Sequence, residues 1–200
     1  KSTYENDISI EKLNYYLMEL NNLGKIIIED NKIMLFSYYK CEDYVASLVY
    51  DLSNRDDIKI KDIDLKIEML ENFFDIKYNN EQKKAIKQAL VKNFSIITGG
   101  PGTGKTTIIK GITQGYKMIS GYSFDKLKER MVLLAPTGRA AKRMSEACLY
   151  PASTIHRYLR WNKETLEFGY NENNKCKAEF IIVDETSMID IELMCNLFKA

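Results

Sequence analysis

No stretch of this sequence approaches the roughly 18–20 consecutive apolar residues that a membrane-crossing helix needs. The opening residues KSTYENDISI also lack the basic-then-apolar pattern of a secretory leader, so a cytoplasmic protein with no membrane partner is expected. Cysteine is sparse: Cys41, Cys148, Cys176 and Cys195 lie far apart and form no C-x-x-C pair. Neither a zinc site nor a disulfide framework is suggested, and four reduced thiols are expected. Histidine is scarcer still, His156 being the only one, which leaves a histidine metal cluster or a Ser-His dyad with little support. Internal repeats and low-complexity tracts are absent too.

What is present is an ordinary soluble composition, 45% hydrophobic and 28% charged over 200 residues, long enough to bury a core as one medium domain or two small ones. The net charge of +1 conceals a division. Residues 1–78 carry 10 basic and 16 acidic side chains, residues 79–200 carry 19 and 12. A polyanion would bind the second part, unless the division only reflects a solvated surface.

Periodicity organises the first part. Ile10, Leu13, Leu17 and Leu20 recur at helical spacing and Gly24 supplies a stop. KIIIE and KIMLFSYY, around Asp30-Asn31, read as a β-hairpin. A helix joined to such a ribbon resembles the second half of a winged-helix module, so residues 1–40 are expected to form a partial winged-helix-like α+β region. Its acidic balance leaves a packing or partner-binding role open beside nucleic-acid binding. Residues 41–77 read as linker helices: an amphipathic run over Tyr39 to Leu52, the polar stretch SNRDD, then a helical period from Ile63 to Phe74. Another helix is expected over Glu81 to Val91. Beyond it come short apolar runs, NFSIIT, MVLLA and EFIIV, each followed by a helical segment. Strand then helix, repeated, predicts an α/β fold with a parallel sheet and flanking helices.

Residues 99–107, GGPGTGKTT, satisfy G-x-x-x-x-G-K-[ST] between an expected strand and an expected helix. Glycines let backbone N–H groups turn inward, and the helix start adds partial positive charge, so the loop can cradle phosphates. Gly99, Gly100, Pro101, Gly102, Thr103, Gly104, Lys105, Thr106 and Thr107 are the candidate nucleotide-binding residues. Lys105 would reach the β- and γ-phosphates, and the Thr106 hydroxyl would ligate Mg²⁺, a hard cation that takes oxygen ligands. EFIIVDETSM sets Asp184 and Glu185 directly after an apolar strand, at the carboxyl edge where a P-loop enzyme holds its ligand. Asp184 is the second candidate Mg²⁺ partner, and Glu185 the candidate acceptor of a proton from the attacking water. Lys105, Asp184 and Glu185 are thus the candidate catalytic set.

In order along residues 78–190, YNNEQKKAI, ITGGPGTGKTTII, LLAPTGRAAKRMSE, STIHRYL and IIVDETSMID resemble the RecD-like DNA helicases of superfamily 1. More weakly, the N-terminal helix, hairpin and following helix look like the region that precedes the motor in stand-alone members. The resemblance implies a RecA-like P-loop motor domain over residues 78–200, and ATP hydrolysis with Mg²⁺ driving 5′-to-3′ movement on single-stranded DNA and unwinding at duplex junctions. It implies that Gln82 reads the adenine edge, an amide being able to donate and accept at once. It assigns phosphate contacts to Pro136, Thr137, Gly138 and Arg139, with Lys142 and Arg143 behind them, and strand contacts to Thr154 and His156. A small hairpin within residues 160–176 corresponds to a pin that divides duplex, with Trp161 and Phe168 as stacking surface, although a plain surface hairpin fits equally. Thr186 stands where the family more often has alanine.

Such helicases use two RecA-like domains. The chain starts on Lys1 rather than Met, and stops before the family's next strand and its Gly-Asp-x-x-Gln motif. That strand lies between the P-loop strand and the Asp-Glu strand, so a gap in the sheet, a longer parent protein and negligible ATP hydrolysis by these residues alone are expected. The missing C-terminal motor domain would be the first partner, with single-strand-binding or recombination proteins beyond it. Two alternatives stay open: a RecD-like motor subunit of an exonuclease or relaxase complex, and an ATP-binding module without motor activity.

Overall fold

The computed structural model describes residues 9–100 and 102–200; Pro101 and the first eight residues of the region expected to be winged-helix-like lie outside the described residues. Helix α1 (Ile10–Asn22) begins at Ser9, whose hydroxyl accepts the Lys12 N–H. Gly24, at φ 64, turns the chain after it so that the Lys25 N–H reaches the Leu20 carbonyl at 2.9 Å. Strands β1 (Ile26–Glu29) and β2 (Lys32–Leu35) pair antiparallel. Asp30 and Asn31, at φ 47 and 61, make the two-residue turn whose twist suits a hairpin.

Helix α2 (Phe36–Ser53) starts earlier than the pattern predicted, converting FSYY from strand to helix and running through residues 40 and 41. The reason is pairing: β1 begins at Ile26, opposite Leu35, and after one more bond, from the Phe36 N–H to the Lys25 carbonyl at 3.0 Å, the ladder has run out of partner. Helices α3 (Ile63–Phe74) and α4 (Asn80–Val91) follow where the apolar period placed them.

Helices α5 (Lys105–Ser120) and α6 (Phe124–Arg130) then lead into β3 (Met131–Ala135), α7 (Gly138–Cys148), β4 (Ala152–Thr154) and α8 (Ile155–Tyr158). A short hairpin of β5 (Trp161–Asn162) and β6 (Glu167–Phe168) precedes β7 (Phe180–Val183) and α9 (Ile191–Lys199). The sheet runs β4-β3-β7, all parallel. All five residues of β3 are buried because both faces of the strand are covered. Met131 and Leu133 pack with Leu127, Met144 and Tyr150, while Val132 and Leu134 pack with Ile155, Leu159, Leu193 and Leu197. Burial on two faces is what gives MVLLA an unbroken apolar run instead of alternation. The α/β sheet with flanking helices is therefore the fold.

One expected strand does not form. Residues 95–100 have no regular structure, and Ile96 is 75% exposed. A strand exists only through a partner's hydrogen bonds, and the sheet among the described residues ends at β7. Ile97 still packs against the core formed by α3, α4 and α5, beside Phe180 and Ile182 of β7.

One buried tyrosine, Tyr150, and two half-buried ones, Tyr116 and Tyr158, tie α6, β3 and the edge of the sheet together. The Tyr150 hydroxyl lies 3.0 Å from both the Leu127 and Met131 carbonyls, and burial pushes its pKa up to about 12. Tyr116 reaches about 12 through burial and the neighbouring Glu179 carboxylate. Burial, then the Cys176 thiol, raises Tyr158 as well. Their folded-state values exceed the unfolded value near 10, so the stability they contribute is complete below about pH 10 and is lost as pH climbs toward 12. The melting temperature should accordingly fall between about pH 10 and 12, in step with tyrosinate absorbance. A flat profile through that window would contradict this burial.

Candidate functional site

A parallel sheet puts the carboxyl ends of its strands on one side, and each strand here releases a different motif there. Pro136 to Arg139 follow β3, His156 follows Thr154 at the end of β4, and Asp184 with Glu185 follow β7. The register makes the grouping close. Thr154 pairs with Ala135, and the Asp184 N–H donates to the Leu134 carbonyl at 2.9 Å on Ala135's other flank. Thr154, Ala135 and Asp184 thus stand side by side across the sheet.

Gly104, at φ 84, precedes α5, and the first N–H groups of that helix have no carbonyl partner within it. The Lys105 ammonium folds back onto the Gly99 and Gly100 carbonyls, at 2.8 Å from the latter, and the Thr103 hydroxyl donates to Gly100 O at 2.9 Å. Thr106 is exposed at the helix start. An ammonium, a hydroxyl and helix-start N–H groups suit a phosphate chain, and the Asp184 carboxylate at the end of β7 is of the oxygen type a hard cation takes, so the residues present fit a Mg²⁺–nucleotide.

Gln82 sits against this loop. Its Nε2 points to the Thr103 carbonyl at 3.5 Å, and a Cβ built on Gly104 would lie 2.5 Å from that nitrogen. Glycine at 104 serves both the left-handed backbone and this close approach. The same amide closes a capping box: Gln82 Oε1 accepts the Asn79 N–H at 3.1 Å while Asn79 Oδ1 accepts the Gln82 N–H at 2.8 Å.

Asp184 is half-buried, and its Oδ1 accepts the Glu185 N–H at 2.9 Å. Glu185 is exposed in a left-handed conformation, φ 52, at the entry to a 3-10 turn at Thr186–Met188. Among the strand-contact candidates, Thr137 and Thr154 each cap a helix, accepting the Ala140 and Arg157 N–H groups at 3.2 Å. Each hydroxyl keeps its own proton to donate. Gly138, Arg139, Lys142 and Arg143 are exposed on the first turns of α7; Lys142 lies 3.9 Å from Glu146. His156 is exposed, with its ring 6.2 Å from Trp161 and 5.9 Å from Phe168, which are themselves 4.7 Å apart. This aromatic trio lines a groove of about 350 Å³ whose other walls are Cys41 of α2 and the start of α9.

Residues 82–200 match the AAA domain family, well over half of the chain. The chain belongs to that family. This AAA-domain chain is 32% identical over 193 residues to the RecBCD enzyme subunit RecD of Buchnera aphidicola subsp. Schizaphis graminum, covering 88% of the chain and 31% of that protein. It is 36% identical to RecD of Haemophilus influenzae over 154 residues, 66% of the chain and 23% of that protein. It is 34% identical to the ATP-dependent RecD2 DNA helicase of Deinococcus radiodurans over 122 residues, 61% of the chain and 16% of that protein. The resemblance to RecD-like helicases read from the motifs therefore holds across much of the AAA-domain chain, which spans under a third of the length of these relatives.

No group of three metal-ligating side chains occurs among the described residues, and no helix there is long and apolar enough to cross a membrane. All four cysteines are free. Sequence reasoning missed β4, whose three residues carry no alternation to read, and the role of Asn79. The N-x-x-Q spacing of a capping box was a signal for the latter.

Proposed function

We propose that this chain is the nucleotide-binding and strand-contacting part of a longer ATP-dependent DNA helicase that moves 5′ to 3′ on single-stranded DNA and separates duplex at junctions. The observation that carries the reading is the shared edge: β3, β4 and β7 deliver a basic helix start, an exposed histidine and two carboxylates to one side of one sheet. Coupling nucleotide turnover to movement needs both functions within reach of each other, and adjacent parallel strands supply that.

In the mechanism, Lys105 exchanges the Gly99 and Gly100 carbonyls for phosphate oxygens, and the loop over residues 99–107 cradles the phosphates with the backbone N–H groups of its residues other than Pro101. Gln82 has a second amide hydrogen and a second carbonyl lone pair free of the capping box, which suit the adenine edge. Thr106 and Asp184 would hold Mg²⁺, which when bound would draw charge from the phosphates. Glu185 accepts the proton of the attacking water. Pro136, Thr137, Gly138, Arg139, Lys142, Thr154 and His156 line the DNA path, and the His156–Trp161–Phe168 trio stacks unpaired bases where the hairpin within residues 160–176 divides the strands.

A segment of the longer protein supplies the strand that pairs between β7 and residues 94–98, and a second motor domain supplies an arginine to the transferring phosphate. Residues 1–40 serve packing or partner binding rather than strong phosphate contact, residues 41–77 lead into the motor, and the motor begins at 78. The protein works in the cytoplasm beside single-strand-binding or recombination proteins. A second reading, a motor subunit of an exonuclease complex, is favoured by the RecD match extending over 88% of the chain, more than the motifs alone span.

The test is whether single-stranded DNA stimulates ATP hydrolysis by the full-length protein. No stimulation would turn the reading to an ATP-binding module. Arg139→Ala should weaken single-strand binding and lower the slope of log affinity against log salt by about 0.7. An unchanged slope would take Arg139 out of the DNA path.

A further inference from the structure

We infer that Glu71, which lies outside every stretch that marks the family, is a positioning residue for nucleobase recognition: it clamps both flanks of the Asn79–Gln82 capping box and so fixes Gln82 against the phosphate loop. Glu71 is 3% exposed and is the only buried charged side chain among the described residues. A carboxylate leaves water at a high cost unless every lone pair finds a donor, so its partners show what the burial accomplishes. Oε1 accepts the Tyr78 N–H at 2.8 Å, and Oε2 accepts the Lys83 ammonium at 3.0 Å, with Lys77 at 3.9 Å on the rim. Tyr78 immediately precedes Asn79, and Lys83 immediately follows Gln82. One carboxylate on α3 thus grips the two residues that bracket the capping box on α4.

The Lys83 hydrogen bond holds the Glu71 carboxyl below its usual range; burial opposes this and the Tyr78 N–H adds to it, so the group stays charged and gripping at neutral pH. The clamp also reaches the loop's own helix. Tyr78 is 5% exposed, and a Cβ on Gly111 of α5 would fall 2.8 Å from its hydroxyl oxygen, so only glycine lets the ring lie that close. With Tyr78 seated against α5 and Lys83 tethered to α3, Gln82 has one place to put its amide, beside Thr103 and Gly104. A carboxylate serving only to join α3 to α4 would have no reason to bracket that residue.

The inference rests on the reading that Gln82 faces adenine, and the experiment separates the two. In the full-length protein, affinities for fluorescently labelled ATP and GTP are measured, with pyrophosphate as competitor. Gln82→Ala should lower the ATP-over-GTP preference about five- to tenfold, the loss of roughly one good hydrogen bond. If that preference does not move, the adenine reading fails whatever Glu71 does. Given that fall, Glu71→Ala should lower the preference to within about twofold of the Gln82→Ala value, with pyrophosphate affinity unchanged. The Glu71→Ala, Gln82→Ala double variant should be no worse than Gln82→Ala alone, because both act through one amide. Glu71→Gln keeps the volume and an acceptor for Tyr78 but loses the hold on Lys83, and should fall between. It carries the test if the alanine variant does not fold. Glu71 variants that keep the preference, that lose ATP, GTP and pyrophosphate in equal proportion, or that fail to fold even as glutamine would assign Glu71 to the scaffold alone.

Discussion

Glu185→Gln should cut DNA-stimulated ATP hydrolysis by the full-length protein about 10²- to 10⁴-fold, the range by which a positioned proton acceptor accelerates such reactions. ATP affinity should stay within about twofold, since the substitution keeps the side chain's shape and removes only its basicity. The geometry behind this is local. Asp184 is anchored to β3 through its N–H, and its carboxylate accepts the Glu185 N–H. Glu185 is then turned into the left-handed region, exposed at the carboxyl edge, while Asp184 stays half-buried. A non-glycine residue held there costs about 1 kcal/mol, the kind of strain found where a side chain must be aimed. Lys105→Ala differs in a way that can be measured, because it should lose affinity as well as turnover. Appreciable steady-state turnover by Glu185→Gln would remove it as the proton acceptor and leave the acidic pair a helix-start feature.

Leu133→Ala should lower stability by about 2–5 kcal/mol, the range for deleting a buried leucine side chain. At about 2–4 °C per kcal/mol for a protein of this size, the melting temperature should drop by about 4–20 °C. Leu133 has no exposed surface and sits in the middle strand, paired to Ala152 on one side and Ile182 on the other. The cavity has no mobile edge to collapse from. Leu149 provides the contrast: it is 83% exposed and holds φ 50 at the end of α7. Leu149→Gly should be neutral or stabilising, since glycine accepts that conformation freely. A loss at position 149 as large as at 133 would mean that burial does not set the stability of this sheet.

The sequence by itself determined whatever depends on neighbours a few residues away. The helices over Ile63–Phe74 and Asn80–Val91 were legible because each turn repeats the apolar face, and the Asp30-Asn31 hairpin because two residues set its twist. The phosphate loop and the Asp184-Glu185 pair were legible because their chemistry demands fixed residue types at fixed spacing. Tertiary structure alone decided what depends on distant partners. NFSIIT has the residues of a strand yet forms none, since strand formation belongs to a pair and among the described residues β7 takes only β3. Ala152–Thr154 has almost no strand pattern yet forms one, since β3 offers it an edge. Which motifs meet was likewise hidden: Thr154 and Asp184 are thirty positions apart and become neighbours only through register across Ala135. Glu71 shows the limit most plainly. Nothing around it in the chain marks it as different from the other acids, and only its burial between Tyr78 and Lys83 does, because the energy of a charge is set by what surrounds it in space.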